Sequence, residues 1–345
     1  MARPSNHTYK SMPEGNPTAS VIIVTRNRKA DLRRALYSTL MQDIPCEVIV
    51  VDDASTDGTV EMVRQEFTSV RLVESEISVN CCVQRNRAAS LAHGEYIISI
   101  DDDAEFSTAS IVRQTLADFS HPRIAAVSIP HKDILVSPEI RTPIPAGPGT
   151  WVVGAFVGTA YAVRRDVFLQ FGGYREALET GTEERDFCLR LLNFGYVTAL
   201  GTADPILHYA SPVRDGWRRR MLERRNDLCH AFWNVPLPDL ICHFPGTIFN
   251  GLRYGLTHGC LYPTFVGYIH AIFFICQTLR LRNPVAGQTY RLGRKLSRIG
   301  ILPLEEVAKI LGPLGRGTLH ESELQPGGLK VVSARDKPQA KRTTL

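Results

Sequence analysis

Tyr96–Phe106 reads YIISIDDDAEF, a short run of apolar, partly β-branched residues followed at once by three aspartates. A run of that length and composition is the signature of a strand buried on both faces. Three adjacent carboxylates repel one another and lower stability unless something neutralises them. The stretch therefore predicts a buried strand that delivers a cluster of negative charge, with a divalent cation as the expected partner.

The same pattern continues on either side. SVIIV (20–24), EVIVV (47–51), VRLV (70–73) and IAAVS (124–128) read as further strands. ADLRRALYSTLMQ, between the first two, sets Leu32, Leu36 and Leu40 along one helix face. DDASTDGT then turns into a helix carrying Val60, Val63 and Phe67, with Ser55 or Asp57 as the expected N-cap. Alternating strands and amphipathic helices predict an α/β fold with a mostly parallel sheet.

In open α/β sheets ligands bind beyond the carboxyl ends of the strands. Asp52 and Asp53 follow one strand and Asp101, Asp102 and Asp103 another, so both clusters are expected on that edge. Mg²⁺ and Mn²⁺ prefer oxygen ligands and are commonly shared between carboxylates and substrate phosphates. Neither GxxxxGK[ST] nor GxGxxG occurs, which removes the usual anchors of ATP hydrolysis and dinucleotide redox chemistry. A metal-bound nucleotide diphosphate is the ligand class that remains.

Composition sets the bounds. The chain has 345 residues, 44% of them hydrophobic and 22% charged, enough for one large domain with an extension or for two domains. A net charge of +5 is too small for a broad basic face that grips nucleic acid. The eight cysteines form no CxxC pair and read as reduced thiols of a cytoplasmic protein. Cys229/His230, Cys242/His243 and His258/Cys260 lack the tight spacing of a zinc site.

Residues 1–18 read as a flexible leader and 312–345 as a flexible, polar tail. Tyr262–Leu279 is the most hydrophobic stretch, but it carries His270, Gln277 and an early proline, so a buried or interfacial helix is favoured over a transmembrane one. Arg214–Arg225 packs six arginines, while Trp217, Met221, Leu228 and Phe232 share one helical face. Its basic side has three readings: a solvated surface, a clamp on a diphosphate, or attachment to anionic lipid headgroups.

Three fragments in order resemble the glycosyltransferase family 2 enzymes of GT-A fold. They are ASVIIVTRNRKADLRRALYSTLMQDIPCEVIVVDDASTDGT (19–59), QRNRAASLAHGEYIISIDDD (84–103), which ends in a DxD motif, and GTEERDFCLRLLNFGY (181–196). The likeness covers about 19–212 and continues more weakly to about 290. It implies a GT-A domain over 19–212, followed by a helical C-terminal extension over 213–311 that is associated with the membrane. It also implies an inverting transfer of a sugar from a nucleotide-diphosphate sugar to a hydroxyl of a saccharide or lipid-linked saccharide, in cell-surface polysaccharide assembly. The setting it implies is the cytoplasm, at the inner face of the cell membrane, in peripheral contact with anionic lipid.

Residue by residue, the resemblance implies that Thr25 and Arg26 line the base pocket and that Asp52 or Asp53 bonds the base or ribose. It puts Arg85, Asp101 and Asp102 at the donor, and Asp103, with Asp101 and His208, at Mg²⁺ or Mn²⁺. Glu184 would be the general base, with Glu183 as the alternative and Asp186 beside them on the acceptor side. Each has a plainer reading: acidic residues in a first helical turn are ordinary partners of the helix dipole, and a lone histidine is commonly structural. Where the family commonly has glycines after the asparagine, this chain has Cys81 and Cys82, read as small packing residues.

Two rivals stay open on the sequence. A sugar-phosphate nucleotidyltransferase should carry a glycine-rich triphosphate loop after the first strand, where this chain has TRNRKAD. A catalytically silent scaffold subunit of a polysaccharide assembly complex would have no need of Asp101, Asp103 and Glu184 together.

Overall fold

The computed structural model describes residues 17–137, 139–145, 149–210, 216–312 and 314. Most of the expected leader and tail, Arg214, and the expected boundary at 212/213 lie outside these residues.

The first half alternates β1 (Ala19–Thr25), α1 (Lys29–Leu40), β2 (Glu47–Asp52), α2 (Thr59–Glu66), β3 (Arg71–Glu74), α3 (Cys81–Leu91) and β4 (Tyr96–Ile100). Then follow β5 (Ala104–Phe106), α4 (Ile111–Ala117), β6 (Ile124–Ser128), β7 (His131–Asp133), β8 (Trp151–Val153), β9 (Ala160–Arg164) and α5 (Arg165–Gln170). The chain continues through α6 (Glu183–Asn193), β10 (Val197–Leu200), β11 (Ile206–His208), α7 (Gly216–Asn234), α8 (Leu237–Thr257) and α9 (Leu261–Gln277). It closes with α10 (Gly287–Ile299), β12 (Ile301–Pro303) and α11 (Leu304–Leu311).

Among the described residues, nine strands form one sheet in the order β12-β8-β10-β6-β9-β4-β1-β2-β3. β1 is parallel to both β2 and β4, and β2 to β3, while β9 runs antiparallel between β4 and β6. Both faces of β1 are covered. Val21 and Ile23 pack with Leu32, Leu36, Met62 and Val63 on one side, and Ile22 packs with Ile49, Val51, Ala88 and Ala89 on the other. That two-sided burial is why the strands read as unbroken apolar runs rather than as alternating ones.

One local expectation changes. Gly58, in the left-handed region at φ 82°, precedes α2 in place of a side-chain cap. Asp57 instead accepts from the backbone N–H groups of Thr59 and Lys29, and Ser55 Oγ accepts from Asn27 N. Asn80 caps α3 by accepting from Val83 N, and neither Cys81 nor Cys82 has a positive φ, so no glycine is needed there.

The C-terminal third is more than a helical extension. β12 pairs antiparallel with β8 and forms an edge of the main sheet. Leu228, Trp233, Tyr268, Ala271 and Ile275 of α7 and α9 share one apolar core with Phe187 and Leu191 of α6. Met221 and Leu228 are buried as the helical face predicts, whereas Trp217 is exposed and meets the Tyr262 ring in a tilted arrangement. Among the described residues, no helix is long and apolar enough to cross a membrane.

Asp186 joins α6 to α7. Its side chain is fully buried, with Arg190 Nε at 3.0 Å, Arg175 Nη1 at 3.3 Å and His230 Nδ1 at 3.5 Å, and it accepts from Asn234 Nδ2 at 2.8 Å. Burial alone would raise its pKa, but Arg175 and Arg190 hold it well below the usual carboxylate range. Because this value is depressed, the stabilisation it represents is complete above the unfolded-state pKa of about 3.9 and is lost as the pH falls. Asp186→Asn leaves Arg190 without this counter-ion and is expected to cost about 3–5 kcal/mol in urea unfolding near neutral pH. The gap between wild type and variant should narrow as the pH drops below about 4.

Candidate active site

The acidic loop lies where β4 ends, beside the end of β1. Thr25 Oγ1 donates to Asp102 Oδ2 at 2.8 Å, and Arg28 Nη1 bridges Asp102 Oδ1 at 2.7 Å and Asp103 Oδ2 at 2.9 Å. Arg85, buried on α3, reaches Asp101 Oδ1 at 2.7 Å. Two arginines thus offset much of the repulsion in the DDD loop. Asp102 still has a pKa pushed up to about 6, since desolvation outweighs the attraction of Arg28.

A small second sheet supplies the next group. β11 pairs with β5 in a register that sets His208 opposite Ala104, and with β7 in one that sets His208 opposite Asp133. His208 Nδ1 is therefore 2.6 Å from Asp133 Oδ1, and its Nε2 is 3.3 Å from Asp103 Oδ1. Burial would lower the histidine's pKa, but Asp103 and Asp133 raise it. Ligand atoms of Asp101, Asp103 and His208 lie within 4.8 Å of one another. Two carboxylates and an imidazole suit Mn²⁺ or Mg²⁺ with substrate oxygens completing the shell, so the donor set fits such an ion.

Glu183 and Glu184 open α6 after Gly181 and Thr182, both at positive φ. Glu183 Oε1 is 3.8 Å from Arg85 Nη1, so one guanidinium faces both acidic groups. Desolvation, then the nearby Cys81, pushes Glu183 up to about 7, and desolvation, then Glu183, pushes Glu184 up to about 8. Gly158 leaves the room Glu184 occupies: a Cβ there would collide with its Oε1. Among the described residues, the non-glycine positions with positive φ are Asn27, Ala54, Glu179 and Thr182, and the last two lie in the loop that leads into Glu183 and Glu184. Such strain commonly persists where function requires it.

α7 buckles the loop before α6. Asn226 Nδ2 donates to the carbonyls of Leu178, Thr180 and Gly181 at 2.7–2.8 Å. Arg225 Nη1 pairs with Glu179 Oε1 at 2.8 Å, and its Nη2 reaches the carbonyls of Ala177 and Leu178. The arginine-rich stretch thus divides. Arg225 is a buried clamp on protein, Arg218, Arg219 and Arg224 face the cavity, and Arg220 is exposed.

One cavity of about 970 Å³ gathers Arg26, Arg85, Asp101, Asp102, Glu183, Glu184 and His208 from the residues singled out in the sequence. Thr25, Asp52, Asp53, Asp103 and Asp186 do not line it. Asp52 accepts from Ser55 N, and Asp53 is engaged by Val79 N, Ser78 Oγ and Gln84 Nε2. Asp103 sits behind the wall, and Asp186 is enclosed by its arginines. Sequence reasoning missed Arg28, Asp133 and the Glu184 contact of Gly158. Arg28 had a visible signal, a second basic residue in TRNRKAD, whereas Asp133 had none.

Residues 20–168 match the family described as Glycosyl transferase family 2. That span includes the DDD loop and ends before Glu183 and Glu184. WcaA of Escherichia coli K12, provisionally named a colanic acid biosynthesis glycosyl transferase, is 38% identical over 100 residues, or 27% of this chain. The chain spans only 35% of the length of that relative. S. aureus TarS 1–349, solved in complex with UDP-GlcNAc, superposes with a TM-score of 0.55 at 16% identity, over 77% of this chain and 82% of that one. The mannosyltransferase PcManGT of Pyrobaculum calidifontis, solved with GDP-Man and Mn²⁺, gives 0.51 at 19% identity, over 78% and 88%. Taken with the sheet order and the acidic edge, these matches make residues 20–168 a glycosyltransferase family 2 domain on a GT-A fold.

Proposed function

We propose that the chain is an inverting, metal-dependent glycosyltransferase. It moves a sugar from a nucleotide-diphosphate sugar to a hydroxyl of a saccharide or lipid-linked saccharide in cell-surface polysaccharide assembly. The observation that carries this reading is a single cavity in which Asp101 and His208, of a hard-cation donor set, share a wall with Glu183 and Glu184. The UDP- and GDP-sugar complexes of the structural relatives, one of them with Mn²⁺, support the same donor class.

Asp101, Asp103 and His208 would hold the cation, whose role is to stabilise the negative charge that builds on the departing diphosphate. Asp133 orients the imidazole of His208, the usual partner arrangement for a metal-binding histidine. Arg85 keeps Asp101 and Glu183 in place by pairing with both. Glu184 takes the proton from the acceptor hydroxyl as that oxygen attacks the anomeric carbon and the bond to the diphosphate breaks. Its desolvated carboxylate is a stronger proton acceptor than a solvated one. A single base with no covalent intermediate gives inversion. Arg26 lines the same cavity, consistent with contact to the donor.

Peripheral contact with an anionic membrane belongs to the same reading. Tyr262, Phe265, Ile269, Ile272 and Phe273 recur at helical spacing on α9 and are all exposed. Leu237, Ile241, Phe249 and Leu256 are likewise exposed on α8. α9 carries no Asp, Glu, Lys or Arg, while the segment after it exposes Arg280, Arg291, Arg294 and Arg298. An apolar face bordered by cations suits shallow insertion beside anionic headgroups.

Four outcomes check these assignments. Purified protein with UDP-, GDP- and dTDP-sugars should release nucleotide diphosphate from one donor, and EDTA or Asp103→Ala should abolish release; metal-independent release would overturn the cation's role. Glu184→Gln should lower kcat by about 10²–10⁴-fold with little change in donor KM. Gly158→Ala should mimic that loss in a folded protein, because the added methyl displaces the Glu184 carboxylate. In co-sedimentation, phosphatidylserine should raise binding to phosphatidylcholine vesicles. Ile269→Asp with Phe273→Asp should cut that binding by about tenfold or more, since burying such side chains is worth about 1.5–3 kcal/mol each.

A further inference from the structure

On the other side of Arg85 from the Asp101–Asp103–His208 group lies a cluster of different chemistry. Cys81 and Cys82 open α3, Glu183 opens α6, and their ligand atoms lie within 4.8 Å of one another. Cys81 Sγ is 3.9 Å from Glu183 Oε1. Both thiols point at the carbonyl oxygen of Glu179, at 3.0 Å from Cys81 and 3.3 Å from Cys82. Glu183 is only 3% exposed, and its Oε2 is buried without a hydrogen-bond partner. Leaving a buried acceptor unsatisfied costs about 1–3 kcal/mol, more for a charged group. The buried carboxylate thus sets one oxygen toward the Cys81 thiol and keeps a second with no hydrogen bond of its own, free acceptor capacity that a bound ion would use.

We propose that Cys81, Cys82 and Glu183, with the Glu179 carbonyl as a fourth donor, bind one thiophilic divalent cation of the Zn²⁺ class. Two sulfurs make this group soft, whereas the carboxylate–imidazole group beyond Arg85 is hard, so the two select different ions. On binding, each thiol releases its proton to solvent and no oxidation is involved. A tetrahedral ion with Zn–S near about 2.3 Å holds its donors less than about 4 Å apart, so a small contraction closes the site. Two thiolates and a carboxylate bring three negative charges to one dication. The remaining negative charge is favourable beside Arg85, whose Nη1 is 3.8 Å from Glu183. Cys81 and Glu183 line the cavity, which gives the ion a path in. The site would pin the Asn80–Cys82 turn to the loop before α6.

This assignment does not rest on sugar transfer, and its test reads the metal directly. Full-length protein, stripped of metal and kept in a phosphine reductant with excess Mg²⁺, is titrated with Cd²⁺ while thiolate-to-cadmium charge-transfer absorbance is followed. One equivalent should bind with the intensity of two thiolates, and Zn²⁺ should displace it. Cys81→Ser with Cys82→Ser should remove that equivalent, with far-UV circular dichroism reporting on folding. Glu183→Gln keeps both thiols and should weaken Cd²⁺ binding by at least about tenfold. An unchanged equivalent in the double variant would assign the ion to other cysteines and overturn the proposal. A wild type with no two-thiolate band would overturn it as well, and unaltered affinity in Glu183→Gln would overturn the three-ligand set.

Discussion

The arrangement depends on how the carboxylates at the end of β4 are compensated. Arg85 reaches Asp101 while its other nitrogen faces Glu183, and Arg28 bridges Asp102 and Asp103. Buried carboxylates need such partners, since an uncompensated charge in a poorly solvated site costs several kcal/mol. The compensation is incomplete by design of the geometry: Asp102, Glu183 and Glu184 all keep raised pKa values because burial outweighs the nearby arginines. A site left acidic in this way accepts further positive charge.

The rest of the molecule holds these groups in place. The three-stranded sheet β5-β11-β7 fixes His208 by register, since each of its pairings puts that residue opposite a neighbour of the acidic loop or opposite Asp133. On the far wall, Asn226 and Arg225 tie down the backbone from Ala177 to Gly181, and Asp186 anchors the first turn of α6 to α7. The C-terminal helices, which share a core with α6, are therefore part of what positions Glu183 and Glu184.

The acidic residues divide by role in a way that spacing alone does not show. Asp53 is saturated by three donors from the 78–84 segment, and Asp186 is enclosed by arginines, so both hold backbone and helices rather than face the cavity. The arginines divide similarly. Arg225 is committed to Glu179 and two carbonyls, while Arg218 and Arg219 face the cavity from the exposed start of the same helix.

Local sequence determined the strands of the parallel half, the first two helices between them, and the loops that carry the aspartates. Those features follow from side-chain periodicity and from how chains leave parallel strands, both written in consecutive residues. The order of the whole sheet, including the return of β12 to its edge, was not legible, because pairing between distant strands leaves no trace in either one alone. The same holds for the partners of the acids. Asp133, Gly158 and Asn226 sit far along the chain from what they touch, and only close packing in three dimensions sets which carboxylate stays in the cavity and which is locked into an ion pair.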